Sequence, residues 1–419
     1  MPGAAVHLDD LGDFVAASPS SYHAARAVAD RLIAQGFVEV PESEPFGSAP
    51  GGYVLVRDGA VVAWRLPNGA DAATPYRIVG AHTDSPGLKV KPNPETGSNG
   101  WRQVAVEVYG GPLLNSWLDR DLGLAGRLVS RDGSESLVAT DAVMRVPQLA
   151  IHLDRQVNDG LTLNKQTHLQ PVWGLNAGGI LAHLAARAGL DEGSIVGHDL
   201  VAFDTQRGAV IGADGEFFAC GRMDNLSSVH AALVALEQAT NGREIPVLAA
   251  FDHEEVGSAS RTGASGPVLE DVLRGINHAL GGDGDDLRRA CAGSWCVSAD
   301  AGHAVHPNYP ERHDPTHRPL LGEGPLLKVN ANQRYTTDGQ GTALWARACE
   351  AAGVKYQVFV SNNSMPCGST IGPLSATRLG IRTVDVGIPL LSMHSVREMC
   401  GVADPVMLAG ALREFFHGA

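Results

Sequence analysis

Four short apolar runs, each closed by polar residues, constrain this chain more than any other feature. They are RIVGA (77–81), IPVLAAF (245–251), SWCVSA (294–299) and TVDVGI (383–388). Short runs without polar alternation suit strands covered on both faces. Helical periodicities separate them: Leu226, Val229, Leu233 and Leu236 share a face after Asp224, and a second pattern runs from Thr342 to Ala352. This alternation predicts an α/β sheet with helices on both sides.

The flanking segments extend that reading. An amphipathic helix is predicted over residues 22–35, with Ala25, Val28, Ala29, Leu32 and Ile33 on one face, Ser20 or Ser21 as cap and Gly36 as stop. YVLVRDGAVVAWRL reads as a tight hairpin around Asp58-Gly59, forming an antiparallel edge. Between Pro92 and Ile211 the texture changes to short runs such as VAVEVYG, RLVSR and VAFDT, which predict a β-rich insertion. A chain of 419 residues exceeds the usual size of a single core, in keeping with an inserted domain.

The formal net charge of -14 argues against nucleic acid and against an anionic membrane surface as partners. The N-terminal segment MPGAAVHLDDLGDF lacks the pattern of a secretory signal, and no run reaches the ~18 apolar residues of a membrane span. Six cysteines without a Cys-x-x-Cys pair fit reduced, mostly buried thiols. A cytoplasmic protein is expected, in which cysteine is not a metal ligand.

Ligands of open α/β sheets bind at the carboxyl ends of strands, so the polar residues that follow the apolar runs are the candidates. They are His82 and Asp84, the Asp252-His-Glu-Glu255 turn, Asp300 and His394, and these residue types suit zinc. His82 would ligate through one ring nitrogen while Asp84 holds the other. Glu255 would ligate while its neighbour Glu254, pointing elsewhere, takes a proton from the activated water and passes it to the leaving amine. Asp224, ahead of a helical pattern, is either a helix cap or a carboxylate bridging two ions. Each has a bland alternative as a strand-end or packed residue, but together they read as a two-metal hydrolase centre sharing a hydroxide.

Two further features carry competing readings. His303, His306, His313 and His317 loosely match a four-histidine metal site, although the region is turn-rich and the residues read better as loop histidines. The glycine-bearing run 368–372 lacks the Lys of a phosphate loop, so Ser369 and Thr370 either start a helix or orient a substrate.

The motifs AHTDSPGLKVKP, GRMDNLSS, DHEEVGS, SADAGHAVHPNY, LLKVNANQRY, CGSTIGP and MHSVREM, in this order from residue 81 to residue 399, resemble those of the aspartyl aminopeptidase family. The resemblance implies a mixed-sheet di-zinc exopeptidase domain in two pieces, residues 1–88 and 211–419, interrupted by a β-rich dimerisation domain at 89–210. It implies two Zn2+ per chain on His82, Asp224, Glu255, Asp300 and His394, with Asp224 bridging, Glu254 as general base and Asp84 orienting. Manganese or cobalt could substitute at such N/O sites. It further implies peptide substrates with a free N-terminus, preference for Asp and Glu, and self-association into dimers and a tetrahedral dodecamer. His152, in LAIHL, resembles a histidine that reaches the active site of a neighbouring subunit to contact substrate, and it is also a candidate zinc ligand. Lys328 and His152 are the cations available to meet an acidic side chain.

Two alternatives stay open. A related centre could serve a carboxypeptidase, a deacylase or an aminopeptidase of broader specificity. A self-assembling scaffold with an inert metal site is a reading of another class, against which an intact Glu254 speaks.

Overall fold

The computed structural model describes residues 3–176, 178–239 and 242–419, so Met1 and Pro2 of the N-terminal reading lie outside the described residues. The four apolar runs form the strands Tyr76–His82, Ile245–Phe251, Trp295–Ala299 and Arg382–Gly387. They lie side by side, all parallel, at the middle of a nine-stranded sheet. Parallel neighbours need helical crossovers, which is why helical periodicity separates them in the sequence.

Antiparallel strands flank this quartet and make the sheet mixed. Ala60–Leu66 pairs with Ile245–Phe251 on one side, and Leu326–Val329 pairs with Arg382–Gly387 on the other. The Asp58-Gly59 hairpin forms as expected between Gly51–Arg57 and Ala60–Leu66. It is not the edge, because the two-residue strand Val38–Glu39 pairs in parallel outside it.

Helices Ala4–Ala17, Ser21–Ala34, Met223–Glu237, Gly339–Ala352 and Asp404–Phe416 share one apolar core on one face of the sheet. Val268–Ala279, Gly284–Gly293 and Ile371–Leu379 cover the other face around Trp64, Ile78 and Phe251. Alternate residues of each buried strand feed the two cores: Val79 and Ala81 one, Ile78 the other. Ser20, not Ser21, caps the second helix, and Gly36 follows its C-cap with φ 87°. The first helix buries a face of His7, Leu8, Leu11, Phe14 and Val15 that sequence reading passed over.

Residues 87–204 supply an antiparallel six-stranded sheet, and VAVEVYG, RLVSR and VAFDT fall at the ends of its strands Arg102–Tyr109, Leu122–Ser130 and Ile195–Asp204, each running one residue past. It has its own core around Leu88, Val106, Leu124 and Leu200, closed by the helix Ile180–Ala188. All six cysteines are free thiols, four of them buried. No helix among the described residues is long and apolar enough to cross a membrane.

Candidate active site

Three strand ends and two turns deliver the candidate residues to one place. His82 closes Tyr76–His82, Asp300 follows Trp295–Ala299, and Glu254 and Glu255 follow Ile245–Phe251 in a short 3-10 turn. Asp224 sits where the following helix departs from helical geometry, with φ -82° and ψ 101°, so it is no ordinary helix cap. His394 lies in the turn before the strand Glu398–Gly401.

Backbone strain collects around these positions. Arg222, His253 and His394 are non-glycine residues with φ of 56°, 63° and 65°, in the left-handed region. Such conformations persist where surrounding contacts over-determine them.

The side chains converge tightly. In each of the groups His82–Asp224–Asp300, His82–Glu254–Glu255 and Asp224–Glu255–His394, donor atoms lie within 4.8 Å of one another. His82 Nε2 is 3.4 Å from Asp224 Oδ1, while His394 Nε2 is 3.3 Å from Asp224 Oδ2 and 3.4 Å from Glu255 Oε1. The Asp224 carboxylate thus presents a different oxygen to each histidine.

Both imidazoles are held from behind. His82 Nδ1 lies 3.0 Å from the Asp84 carbonyl and 3.3 Å from its carboxylate, and His394 Nδ1 lies 3.0 Å from the Gly111 carbonyl. These acceptors keep a proton on Nδ1, so that Nε2 is the nitrogen that can lose its proton and offer a lone pair to a cation. Asp84 does more than the sequence suggested. Its carboxylate accepts the backbone N–H groups of Glu254 and Glu255, both at 3.1 Å, and the Tyr109 hydroxyl at 2.7 Å.

The electrostatics follow from burial and crowding. Burial pushes the Glu254 carboxyl up to about 7, with Asp300, Asp84 and Asp224 adding repulsion and His82 opposing it. Burial also lifts Glu255 well above its usual range, reinforced by Asp224. Burial would lower both histidines, yet Asp224, with Asp84 at His82 and Glu255 at His394, outweighs it, taking His82 well above its usual value and His394 to about 10. So dense a set of carboxylates calls for positive charge.

The group lines a cavity of about 290 Å3 together with Lys328, Tyr335, Ser369 and Thr370. Lys328 is 2% exposed, and its ammonium donates to the Ala301 carbonyl at 2.7 Å and to Asp300 Oδ1 at 3.4 Å. The sequence left this lysine without a partner, and the protein itself supplies one. Thr370 donates to Asp385 Oδ1 at 2.6 Å and caps the helix Ile371–Leu379 only through its backbone. Ser369 sits beside it, 3.4 Å from the Arg334 carbonyl.

His152 is not brought to this site within its own chain. It lies exposed in a turn beside Leu149, Ile151 and Leu153, which are 60%, 46% and 75% exposed. The histidines 303–317 gather no metal-sized group among the described residues; His313 Nε2 accepts the backbone N–H of His306, and His317 pairs with Asp314. Sequence reasoning missed Tyr109, whose strand gave no local signal, and Glu398, which sits inside the motif MHSVREM.

Comparison with known proteins decides the family. The family described as aminopeptidase I zinc metalloprotease (M18) matches residues 14–416. The chain belongs to the M18 family of zinc metallo-aminopeptidases. A probable M18 family aminopeptidase 2 of Streptomyces avermitilis is 58% identical over 422 residues, covering 98% of each chain. Its counterpart in Mycobacterium tuberculosis is 44% identical over 422 residues, covering 97% of this chain and 96% of the relative. Among solved structures, the Ape4 and Nbr1 complex contains a chain 36% identical with a TM-score of 0.95, covering 99% of this chain and 86% of that one. The mApe1 dodecamer of S. cerevisiae is 28% identical with a TM-score of 0.85, covering 98% and 96%. The expected resemblance to aminopeptidases therefore holds along the chain, which is a hydrolase acting on peptides.

Proposed function

We propose that this M18 aminopeptidase removes N-terminal residues, preferentially Asp and Glu, at a centre holding two zinc ions. One observation carries the two-ion reading: Asp224 turns one carboxylate oxygen to His82 Nε2 and the other to His394 Nε2. The donor set fits the metal. Asp224 Oδ1 and Glu255 Oε1 are buried with no hydrogen-bond donor among the described residues, which is costly unless a cation meets them. His82, Asp224 and Asp300 would hold one ion and Asp224, Glu255 and His394 the other, with manganese or cobalt as possible substitutes.

Zinc there would polarise the scissile carbonyl and acidify the attacking water. Glu254 takes the proton from that water on its carboxylate and returns it to the departing amine, a task suited to a carboxyl lifted to about 7. Asp84 fixes the backbone of Glu254 and Glu255 and the ring of His82, so that base and ligands keep one geometry. Ser369 and Thr370, on the cavity wall, orient the substrate.

Lys328 supports the acidic preference, since an ammonium has three donors and two are engaged within the protein. The third is left for the side-chain carboxylate of the residue to be removed, and His152 of a neighbouring subunit is the second cation we assign to that role. The internal pairing of Lys328 also favours a second reading, an aminopeptidase of broader specificity. Residues 89–210 serve as the dimerisation domain between catalytic pieces 1–88 and 211–419. The dodecameric S. cerevisiae relative supports a dodecamer here, and the absence of a membrane-crossing helix among the described residues is compatible with a cytoplasmic setting. Metal analysis combined with a profile of released N-terminal residues tests the reading: two zinc per chain and fastest release of Asp and Glu support it, and equal release of Leu and Ala selects the broader enzyme.

A further inference from the structure

Glu398 is a buried carboxylate that touches no candidate metal-binding atom. It opens the strand Glu398–Gly401, opposite Cys220 in the antiparallel strand Phe217–Cys220, and is 2% exposed. Its Oε2 accepts the backbone N–H of Asp224 at 3.0 Å, and its Oε1 accepts the backbone N–H of His394 at 2.9 Å. One side chain thus ties together the Asp224 and His394 segments, each of which carries a donor of the Asp224–Glu255–His394 group.

These segments need a tie. Arg222, two residues before Asp224, and His394 itself both have left-handed backbones, which their side chains disfavour. Without the carboxylate, the buried Asp224 amide and the part-buried His394 amide would lack this acceptor, and the turns would relax toward ordinary conformations. Gly111 fixes the rotation of the His394 ring but not the position of its backbone. Beside the pairing of Phe217–Cys220 with Glu398–Gly401, Glu398 links the Asp224 and His394 amides directly and so helps set the spacing of Asp224 Oδ2 and His394 Nε2.

We propose that Glu398 is a positioning residue that builds the Asp224–Glu255–His394 half of the centre by clamping two of its three members through their main-chain amides. This rests on the two-zinc reading above. Acceptors behind a metal ligand typically raise metal affinity by about tenfold to a hundredfold, and here one residue supports two ligands of the same ion. The His82–Asp224–Asp300 group shares Asp224 but has further support from Asp84 and Lys328, so it depends less on Glu398.

The test is a zinc titration of the metal-free protein against a chromogenic chelator. Glu398→Gln keeps the shape but offers a single acceptor oxygen, so one amide faces an NH2 group. The wild type should bind two equivalents. The shared Asp224 means both equivalents should weaken in the variant, but one about tenfold to a hundredfold more than the other. Turnover should recover at high zinc with KM unchanged. Should Glu398→Gln fail to fold, Glu398→Asp, charged but too short to reach both amides, is read in the same way. Two equivalents at wild-type affinity in the variant, or equal weakening of both, overturns this inference alone. A wild type that binds one equivalent overturns the two-zinc reading and this inference with it.

Discussion

Replacing Lys328 with Met tests the innermost charge pair of the site. Methionine keeps most of the stem volume, so the perturbation is the loss of the ammonium from its place 2.7 Å from the Ala301 carbonyl and 3.4 Å from Asp300 Oδ1. Lys328 is 2% exposed, so the pair is a buried one. Removing one partner of a buried pair costs about 3–5 kcal/mol, because the other charge is left uncompensated. With an unfolding entropy of about 2.1 cal/mol/K per residue over 419 residues, the midpoint should fall by roughly 3–6 °C. The assay is thermal unfolding of the metal-free protein, where no zinc charge can stand in for the ammonium. In the zinc-loaded protein the drop should be smaller, and kcat/KM for Asp and Glu substrates should fall about 10- to 100-fold more than for Leu and Ala, the worth of one charge-assisted hydrogen bond. An unchanged midpoint would refute the buried pair, and equal losses for all four substrates would confine Lys328 to holding Asp300.

Three other outcomes follow from particular contacts. His7 and His23 are pushed down to about 4 by burial, against about 6.5 in the unfolded chain, so both stay neutral in the folded state and their stabilisation, complete above pH 6.5, is lost as pH falls from 6.5 to 4. Thermal midpoints measured across that window should fall, and His23→Gln should flatten the slope; an identical slope would contradict it. A Cβ on Gly387 would collide with the Asp300 carbonyl, so Gly387→Ala should displace Asp300, cost about 1–3 kcal/mol by denaturant titration and weaken zinc binding; wild-type zinc affinity would contradict the placement. Light scattering should show a particle far larger than a dimer, and His152→Ala should raise KM for acidic substrates without altering the particle; an active monomer would remove the role across subunits.

The central sheet was readable because burial on both faces leaves a strand no polar alternation, and RIVGA, IPVLAAF, SWCVSA and TVDVGI became the four parallel strands at its middle. The candidate metal-binding residues were readable for the related reason that strand ends are where such a sheet can place polar groups. Val38–Glu39 was not: a two-residue strand has no periodicity to detect. Lys328 looked unpartnered because Asp300, its partner, stands 28 residues earlier and is adjacent only once Leu326–Val329 has joined the sheet. Tyr109 and Glu398 act through contacts 25 and 174 residues away in sequence, and nothing in VAVEVYG or MHSVREM announces those contacts.

The measurement closest to the central claim is zinc content and turnover determined on one sample of Glu254→Gln. The substitution leaves the oxygen and shape of the side chain but removes its capacity to take a proton, while Asp224, Glu255, His82, Asp300 and His394 are untouched. The variant should hold about two zinc per chain, as in the wild type, with release of N-terminal residues slowed by about 10²- to 10⁴-fold. Wild-type turnover with both ions bound would contradict it.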